Sequence, residues 1–324
     1  MTRIGTGSHD SSHERLNGRL LRDGHTIAYT IHGSPSGVPV VVLHGGPGSG
    51  SQPGVLRLFD LARVRVIMVD QRGTGASTPR GSLRHNNTNQ LIGDLEAIRK
   101  RLSIDRWGVV GGSWGAALAL AYAGQHPASI SGVVLRGLFL TSRREVRQLF
   151  VTSRMRALAE WRAMSEAAGS DRALLVPARC FRVMCGATQN RRVQVALTWR
   201  AYEDAVLTAA TARSRSRATH RNVPQRERAR LIAKYSIQAH YLLHDCWLGE
   251  RRLLALAARA AAANVRIFAV HGSNDPVCPI DNVRRLVRTV PAARVTIVDA
   301  GHLTNDRSLA EGMKRAIDEA FVQQ

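Results

Sequence analysis

The sequence has little cysteine and no long hydrophobic run, and each shortage excludes a class of protein. Four cysteines scattered over 324 residues are too few for a disulfide scaffold, so we expect a reducing, cytoplasmic environment. No apolar stretch approaches the roughly 18–20 residues that a membrane helix needs, which excludes a spanning protein. The segment 1–21 is rich in Ser, His, Gly and Arg and has no apolar core, so we expect no secretory signal.

Lysine and acidic residues are also scarce beside arginine. Of 46 basic residues only 3 are Lys, and 24 acidic residues leave a formal charge of +22. Segment 141–230 holds 19 Arg against 7 acidic residues, a net charge of +12. A segment with this charge can form a binding surface for nucleic acid, anionic lipid or an acidic partner. It can equally be a solvated, Arg-rich helical insert. Aromatics make up only 5% of the chain and no binding module is visible, so we expect no specific nucleic-acid binding.

What the sequence does contain is a repeated pattern of strand, glycine turn and helix. Continuous apolar, β-branched runs are typical of buried parallel strands. Such runs or alternating patterns predict strands at 26–31, 40–43, 64–69, 107–110, 130–135, 265–270 and 294–298. Apolar residues at helical spacing, or Ala-rich stretches, predict helices at 89–102, 116–125, 281–290 and 309–321. The pattern indicates an α/β protein with a mostly parallel sheet flanked by helices.

One region interrupts this pattern. Between residues 141 and 244 the β-branched runs thin out and Arg and Ala dominate. We therefore expect a helical cap at 141–244, inserted into a core formed by 19–140 and 245–324. Residues 1–18 are expected to form a flexible tail. The segment 213–230 has seven Arg and few apolar residues, which predicts an exposed connector.

The strongest chemical signal is Gly111-Gly-Ser-Trp-Gly115, a G-x-S-x-G between a predicted strand and a predicted helix. A tight turn there exposes Ser113 as a nucleophile. The Trp114 amide lies at a helix N-terminus, where it suits a developing oxyanion. A second donor is expected from Gly46, in the glycine loop His44-Gly-Gly-Pro47; a tight turn alone is the other interpretation, and both can hold.

A serine nucleophile needs a base, and the base needs an acid that orients it. His302 follows a predicted strand, and so does Asp275. The chain order Ser, Asp, His is that of the α/β-hydrolase fold. Because all three residues follow strands, we expect them at the carboxyl edge of one sheet. Ser113, Asp275 and His302 are therefore the predicted catalytic residues of a serine hydrolase.

Other candidate sites are weaker. Arg72, in Asp70-Gln-Arg-Gly73, is either a substrate ligand or a brace for the loop beneath the site, and we favour the brace. The His and Cys residues lack zinc-site spacing. The glycine turns lack the Gly-Lys-Ser/Thr of a phosphate loop. No metal and no cofactor are expected.

From about Asp23 to the C-terminus, the sequence resembles the proline iminopeptidases, which are serine prolyl aminopeptidases of the α/β-hydrolase fold. Some of the matching segments are shared with many hydrolases, and others are more particular to this family. They include His44–Gly50, Asp70–Gly75, Gly111–Gly115, Val134–Phe139, Val277–Pro279 and Ala300–His302. The resemblance implies an α/β-hydrolase core with a cap, and release of an N-terminal proline by Ser113, Asp275 and His302.

The resemblance also implies substrate-binding residues. In the family, two acidic residues of the cap hold the substrate amine. Glu203 matches the first of them. Gln238 stands at the position of the second, which is Glu in the family. A charge-assisted hydrogen bond contributes roughly 1.5–3 kcal/mol, so this loss weakens prolyl binding by about one to two orders of magnitude. Phe139 matches an aromatic beside the proline ring, and a core position is its alternative. Cys278 matches a pocket-edge cysteine, for which we favour a structural role.

Two further functions stay open. The missing acid and the basic cap favour an amidase or esterase of the same fold that acts on a neutral or acidic small molecule. A non-enzymatic basic scaffold that binds nucleic acid or an acidic partner is the third hypothesis, and the predicted catalytic residues argue against it. The expected partner is a peptide or small-molecule substrate, and the sequence makes no prediction of the oligomeric state.

Overall fold

The computed structural model describes residues 16–208 and 223–323, and an eight-stranded sheet lies at its centre. In chain order the strands are β1 (Leu16–Arg22), β2 (His25–Gly33), β3 (Val38–Leu43), β4 (Val64–Val69), β5 (Trp107–Gly112), β6 (Ile130–Arg136), β7 (Arg266–Gly272) and β8 (Arg294–Val298). Their spatial order is β1-β2-β4-β3-β5-β6-β7-β8. Strand β2 is antiparallel to β1 and β4, and all other neighbours are parallel. The predicted mostly parallel sheet is confirmed.

The helices of the described residues follow the strands in the expected way. In chain order they are α1 (Thr88–Arg101), α2 (Trp114–Gln125), α3 (Arg143–Arg147), α4 (Leu158–Ala168), α5 (Val176–Gly186), α6 (Gln189–Thr208), α7 (Gln225–Leu243), α8 (Gly249–Ala262), α9 (Asp281–Thr289) and α10 (Arg307–Ile317). The four predicted core helices correspond to α1, α2, α9 and α10. No helix among these residues is long and apolar enough to cross a bilayer.

The sheet is buried on both faces, which explains its continuous apolar strands. Successive side chains of a strand point to opposite faces. In β3, Val41 and Leu43 join an apolar cluster that includes residues of α1, α2, α8 and α9. Val40 and Val42 join a second cluster, which includes residues of α10. Helices therefore cover both faces of the sheet.

Helices α3 to α7 lie between β6 and β7 in the chain and share an apolar cluster, while Ile237 and Tyr241 of α7 belong to the main cluster. Aromatic side chains form much of it: the Trp199 ring stacks on Tyr235 at 4.9 Å between centroids and packs edge-on against Phe150 at 5.5 Å. The predicted helical character of 141–244 is confirmed for the described part. Its division from the core as a cap stays a prediction.

The predicted connector at 213–230 is wrong in its last part, because α7 begins at Gln225. Residues 213–222 lie outside the described residues. Ion pairs stabilise the start of α7: Arg230 lies 2.6 Å from Glu227 one turn earlier, and Arg200 of α6 lies 3.3 Å from the same carboxylate. Pairs of this kind add about 0.2–0.5 kcal/mol to a helix, and the buried residues of α7 begin only at Leu231.

Two other elements differ from expectation. Strand β1 begins at Leu16, inside the segment 1–18 that was expected to be a tail, and pairs with β2; residues 1–15 lie outside the described residues. As an edge strand, β1 has mostly exposed or half-buried side chains, so it lacks the apolar signal of its neighbours. Helix α8 was also missed. It buries mainly Leu253, Ala257 and Ala260, a small apolar face.

A hydrogen-bonded clamp joins the elements that flank the expected nucleophile. Trp107 of β5 donates from Nε1 to the Tyr122 hydroxyl of α2 at 3.1 Å, and that hydroxyl donates to Glu96 Oε1 of α1 at 2.6 Å. Burial alone would raise the pKa of Glu96. Hydrogen bonds from Arg99 and Tyr122 outweigh it and lower that pKa from 4.5 to about 2.

Glu96→Gln should therefore destabilise the protein in a pH-dependent way. The folded-state pKa lies below the ordinary value, so the carboxylate stabilises the fold above about pH 4.5 and loses this effect as the pH falls towards 2. At neutral pH we expect a loss of about 1 kcal/mol in the free energy of unfolding, which allows for screening at a partly exposed group. Urea unfolding of Glu96→Gln and of the exposed control Glu166→Gln across acidic pH measures it. A pH-independent difference would contradict the clamp.

Candidate active site

The turn between β5 and α2 holds Ser113 in an unusual backbone conformation, with φ 56° and ψ −119°. For a residue with a side chain, such a conformation costs of order 1–3 kcal/mol and persists only where the surroundings enforce it. Here they do: a Cβ on Gly115 would overlap the Leu43 carbonyl, and one on Gly111 would overlap the Gly115 carbonyl. Strand, turn and helix are therefore packed too closely for other residues, and Ser113 faces a cavity.

Asp275 and His302, which follow β7 and β8, form a buried pair. His302 Nδ1 lies 2.6 Å from Asp275 Oδ2, and the side chains are 7% and 1% exposed respectively. The other carboxylate oxygen of Asp275 accepts hydrogen bonds from the amides of Val277 and Cys278, at 2.8 and 2.9 Å. Burial alone would raise the pKa of Asp275, but His302 and these hydrogen bonds outweigh it and lower that pKa. The carboxylate is thus ionised and fixed against the imidazole.

The structure brings this pair to the same cavity as Ser113. Ser113 and His302 both line a space of about 560 Å³, which residues of α6 and α7 line as well. The Cys278, Asp275 and His302 side chains have polar atoms within 4.8 Å of one another. The three residues that the sequence singled out therefore meet at the carboxyl edge of the sheet.

The cluster of Asp275, Cys278 and His302 is also the group to consider for a metal ion. Its carboxylate and imidazole atoms are already joined by a short hydrogen bond. Burial raises the pKa of Cys278 well above its ordinary value, and Asp275 adds to this. Both oxygens of Asp275 already accept hydrogen bonds, Oδ2 from His302 and Oδ1 from the amides of Val277 and Cys278. The donor set therefore fits a hydrogen-bonded cluster better than a metal centre.

Arg136 lies at the end of β6 and lines the cavity, a role that was not predicted from the sequence. Its guanidinium donates to the backbone carbonyl of His302. Burial lowers the pKa of Arg136, and nearby Asp275 opposes that shift. Arg136 thus fixes the loop that carries the histidine. The sequence feature that could have identified Arg136 is its position in Val134–Phe139, one of the segments that resemble the family.

The predicted oxyanion residues lie beside the nucleophile. A Cβ on Gly45 would lie 3.5 Å from Ser113 Cβ, so the glycine loop that contains Gly46 packs against the serine. Gln71 joins this loop to the helix after the nucleophile: its amide donates to the His44 carbonyl at 2.9 Å and accepts from Trp114 Nε1 at 2.8 Å. Gln71 was missed because its role depends on side-chain direction, not on spacing.

Arg72 braces the loop beneath the site and is fully buried. Its guanidinium binds Asp94 of α1 through two hydrogen bonds of 2.6 and 2.7 Å. It also donates to Asp23 at 2.8 Å and to the carbonyl of His85 at 2.6 Å. These contacts hold β4's loop to α1 and support the favoured interpretation of Arg72 over a substrate ligand.

The three residues implied for substrate binding line the same cavity: Glu203 of α6, Gln238 of α7, and Phe139. Gln238 donates to Glu203 Oε1 at 2.5 Å. Phe139 also packs against the main apolar cluster, as its core interpretation expects, and its place beside a prolyl ring stays a prediction. Lys234, which the sequence analysis did not single out, also lines the cavity and lies 2.9 Å from Glu203 Oε2.

The charges that face the cavity differ from those of segment 141–244 as a whole. Among the described residues of this segment, Lys234 lines the cavity and no arginine does. Arg57 and Arg136 line it from outside the segment. Any repulsion of a cationic ligand by the described part of this segment therefore comes first from Lys234.

Comparison with known proteins agrees with this geometry. A family described as "alpha/beta hydrolase fold" matches residues 38–307. The proline iminopeptidase of Xylella fastidiosa (strain 9a5c) is 36% identical over 86% of this chain and 88% of its own length. The proline iminopeptidase of Xanthomonas citri is 34% identical over 91% of this chain and 93% of its own length.

A solved structure adds to the evidence on the fold. An esterase from Rhodococcus sp. ECU1013 aligns with a TM-score of 0.59 and 18% identity, over 94% of this chain and 98% of its own. That identity is low enough to speak for the fold alone. The predicted α/β-hydrolase fold is confirmed, and the chain belongs to the proline iminopeptidase family within it.

Proposed function

We propose that this protein is a serine hydrolase that releases an N-terminal proline from peptides. One observation carries the proposal: the strained Ser113 turn and the Asp275–His302 pair open onto a single cavity that also contains Glu203. A nucleophile, a base and an acid for a substrate amine thus share one space. The named relatives, as proline iminopeptidases, support the same substrate class.

In the proposed mechanism Ser113 Oγ attacks the carbonyl carbon of the N-terminal prolyl residue. His302 accepts the serine proton through Nε2, the ring nitrogen opposite Asp275, and then donates it to the leaving amine. Asp275 holds the ring in the required tautomer and stabilises the imidazolium that forms. Water then attacks the acyl-enzyme, and His302 again acts first as base and then as acid.

The Gly46 and Trp114 amides stabilise the oxyanion of each tetrahedral intermediate. Trp114 is the first residue of α2, so its amide has no partner within the helix and the helix dipole favours negative charge there. Removal of one such donor typically costs about 10²–10³ in rate. Gln71 and His44 hold the two amide-bearing segments together, and burial lowers the pKa of His44, which keeps it neutral.

Glu203 and Gln238 bind the substrate amine at the far side of the prolyl ring, and Phe139 contacts the ring. We further propose that 141–244 act as a cap over a core of 19–140 and 245–324, because the cavity lies where helices α6 and α7 meet the core loops. Four free cysteines suit a reducing compartment, which supports a cytoplasmic location.

A second function is favoured by a specific observation. The carboxylate of Glu203 is already bound by Lys234 and Gln238. A substrate amine therefore meets less negative charge here than it would beside two acidic residues without such partners. An amidase or esterase with a neutral substrate would use the same Ser113, Asp275 and His302. Substrate preference separates the two functions.

Ser113→Ala should lower kcat/KM for a prolyl arylamide by at least about a thousandfold, because no other group supplies the nucleophile. The measurement compares a prolyl arylamide, its N-acylated form and a simple aryl ester. Ser36→Ala, in an exposed turn, is the control and should keep the wild-type rate. Full activity of Ser113→Ala would exclude the mechanism, and turnover of the ester without prolyl release would favour the second function.

Gln238→Glu should raise kcat/KM for the prolyl arylamide by about 10- to 100-fold relative to the ester, because it adds a charge-assisted partner for the amine. Gln225→Glu makes the same charge change on the exposed first turn of α7. It lies about 20 Å away along the helix, beyond the screening length. An equal effect of both substitutions would show that overall charge, and not the amine site, sets the preference.

A further inference from the structure

Helix α7 places a lysine and a glutamine on the same side of the cavity. Lys234 and Gln238 are four residues apart, so their side chains are neighbours on the helix surface. Lys234 Nζ lies 2.9 Å from Glu203 Oε2 and 3.2 Å from the Tyr235 hydroxyl. It also lies 4.5 Å from the centroid of the Tyr235 ring. The ammonium of Lys234 thus has a carboxylate and an aromatic face as neighbours.

The carboxylate of Glu203 has partners on both oxygens. Oε2 accepts from Lys234 Nζ and from the Tyr235 hydroxyl, at 2.9 and 3.0 Å, while Oε1 accepts from Gln238 Nε2 at 2.5 Å. The Glu203 and Lys234 side chains are only 15% and 19% exposed, so solvent screens their attraction weakly. Three of the roughly four acceptor positions of the carboxylate are thus filled, and a substrate ammonium has to share the negative charge with Lys234.

The side-chain amide of Gln238 has one polar atom, Oε1, that takes no part in the contact with Glu203. The residue is 5% exposed and lines the cavity. Its Oε1 has no hydrogen-bond partner among the residues that the structure describes. A buried carbonyl oxygen without a partner is costly, so a substrate N–H that reaches it gains a hydrogen bond. As a neutral acceptor it discriminates less between a charged and an uncharged N–H than a carboxylate does.

We propose that Lys234 is a specificity-determining residue, a tethered ammonium that occupies the position of the substrate ammonium at Glu203. This inference rests on the proposed function, in which Glu203 binds the substrate amine. Because a lysine side chain is flexible, Lys234 competes with a free prolyl amine and does not exclude it. The wild-type protein therefore binds free-amine and N-acylated prolyl ligands with less discrimination than an unoccupied Glu203 would give.

The test measures ligand binding without turnover. In a Ser113→Ala background, calorimetric titration gives the Kd of prolinamide and of N-acetylprolinamide, and we define amine selectivity as the second Kd divided by the first. Lys234→Met should raise amine selectivity by about 10- to 100-fold, the value of one charge-assisted hydrogen bond. Lys234→Gln, which keeps polar atoms but has no charge, should do the same and provides a second variant if the first folds poorly.

The chain offers a matched control among its three lysines. Lys100→Met, at an exposed position of α1, should leave amine selectivity unchanged. Glu203→Gln added to Lys234→Met should cancel the increase, because the increase needs the freed carboxylate. In the catalytically intact protein, Lys234→Met should lower KM for the prolyl arylamide more than it changes kcat.

Amine selectivity that stays constant or falls in both Lys234 variants would overturn the inference. Absence of binding of either ligand in every variant would also overturn it, since Glu203 would then not be an amine site. The proposed function fails by a different result, namely prolyl hydrolysis that Ser113→Ala leaves unchanged. The two failures can be told apart because amine selectivity is measured by binding, without turnover.

Discussion

The backbone strain at Ser113 is the constraint on which the rest of the site depends. A positive φ at a residue with a side chain survives only because β5 and α2 pack against β3 with no room for side chains at Gly111 and Gly115. This packing brings the start of α2 beside the glycine loop after β3. The strain is balanced by burial on both faces of the sheet, and the hydrogen bonds among Trp107, Tyr122 and Glu96 fix the flanking elements.

Acidic side chains lie beside several bases of the cavity. Asp275 faces His302, and Glu203 faces Lys234. Glu145 is buried, which raises its pKa, and it accepts hydrogen bonds from Asn282 and from the amides of Leu140 and Ser142. Among the described residues, the Lys and Arg side chains that line the cavity are Arg57, Arg136 and Lys234, so most of the positive charge of the chain lies elsewhere. Under the proposed function, Lys234 and Gln238 set how much of the Glu203 charge a substrate amine meets.

The sequence predicts those parts of the structure that depend on local pattern. Apolar strands with glycine turns located Ser113, Asp275 and His302, because the carboxyl ends of parallel strands meet at one edge. Glu203 and Gln238 came from the resemblance to the family. The contacts of Lys234, Gln71 and Arg136 were not predictable, since each depends on where a side chain points after helices and loops have packed. Strand β1 and the start of α7 were missed for a related reason. Their side chains are mostly exposed or half-buried, so neither segment has an apolar period.

The central claim is that Ser113 is the nucleophile of this hydrolase, and covalent labelling tests it most directly. A fluorophosphonate transfers its phosphonyl group to an activated serine and releases fluoride, which gives an adduct that mass spectrometry locates. We expect a single adduct on the peptide that contains Ser113, with loss of prolyl arylamide hydrolysis in proportion to labelling. Hydrolysis that persists when Ser113 is fully labelled, or that is lost when the label lies on another residue, would contradict the account.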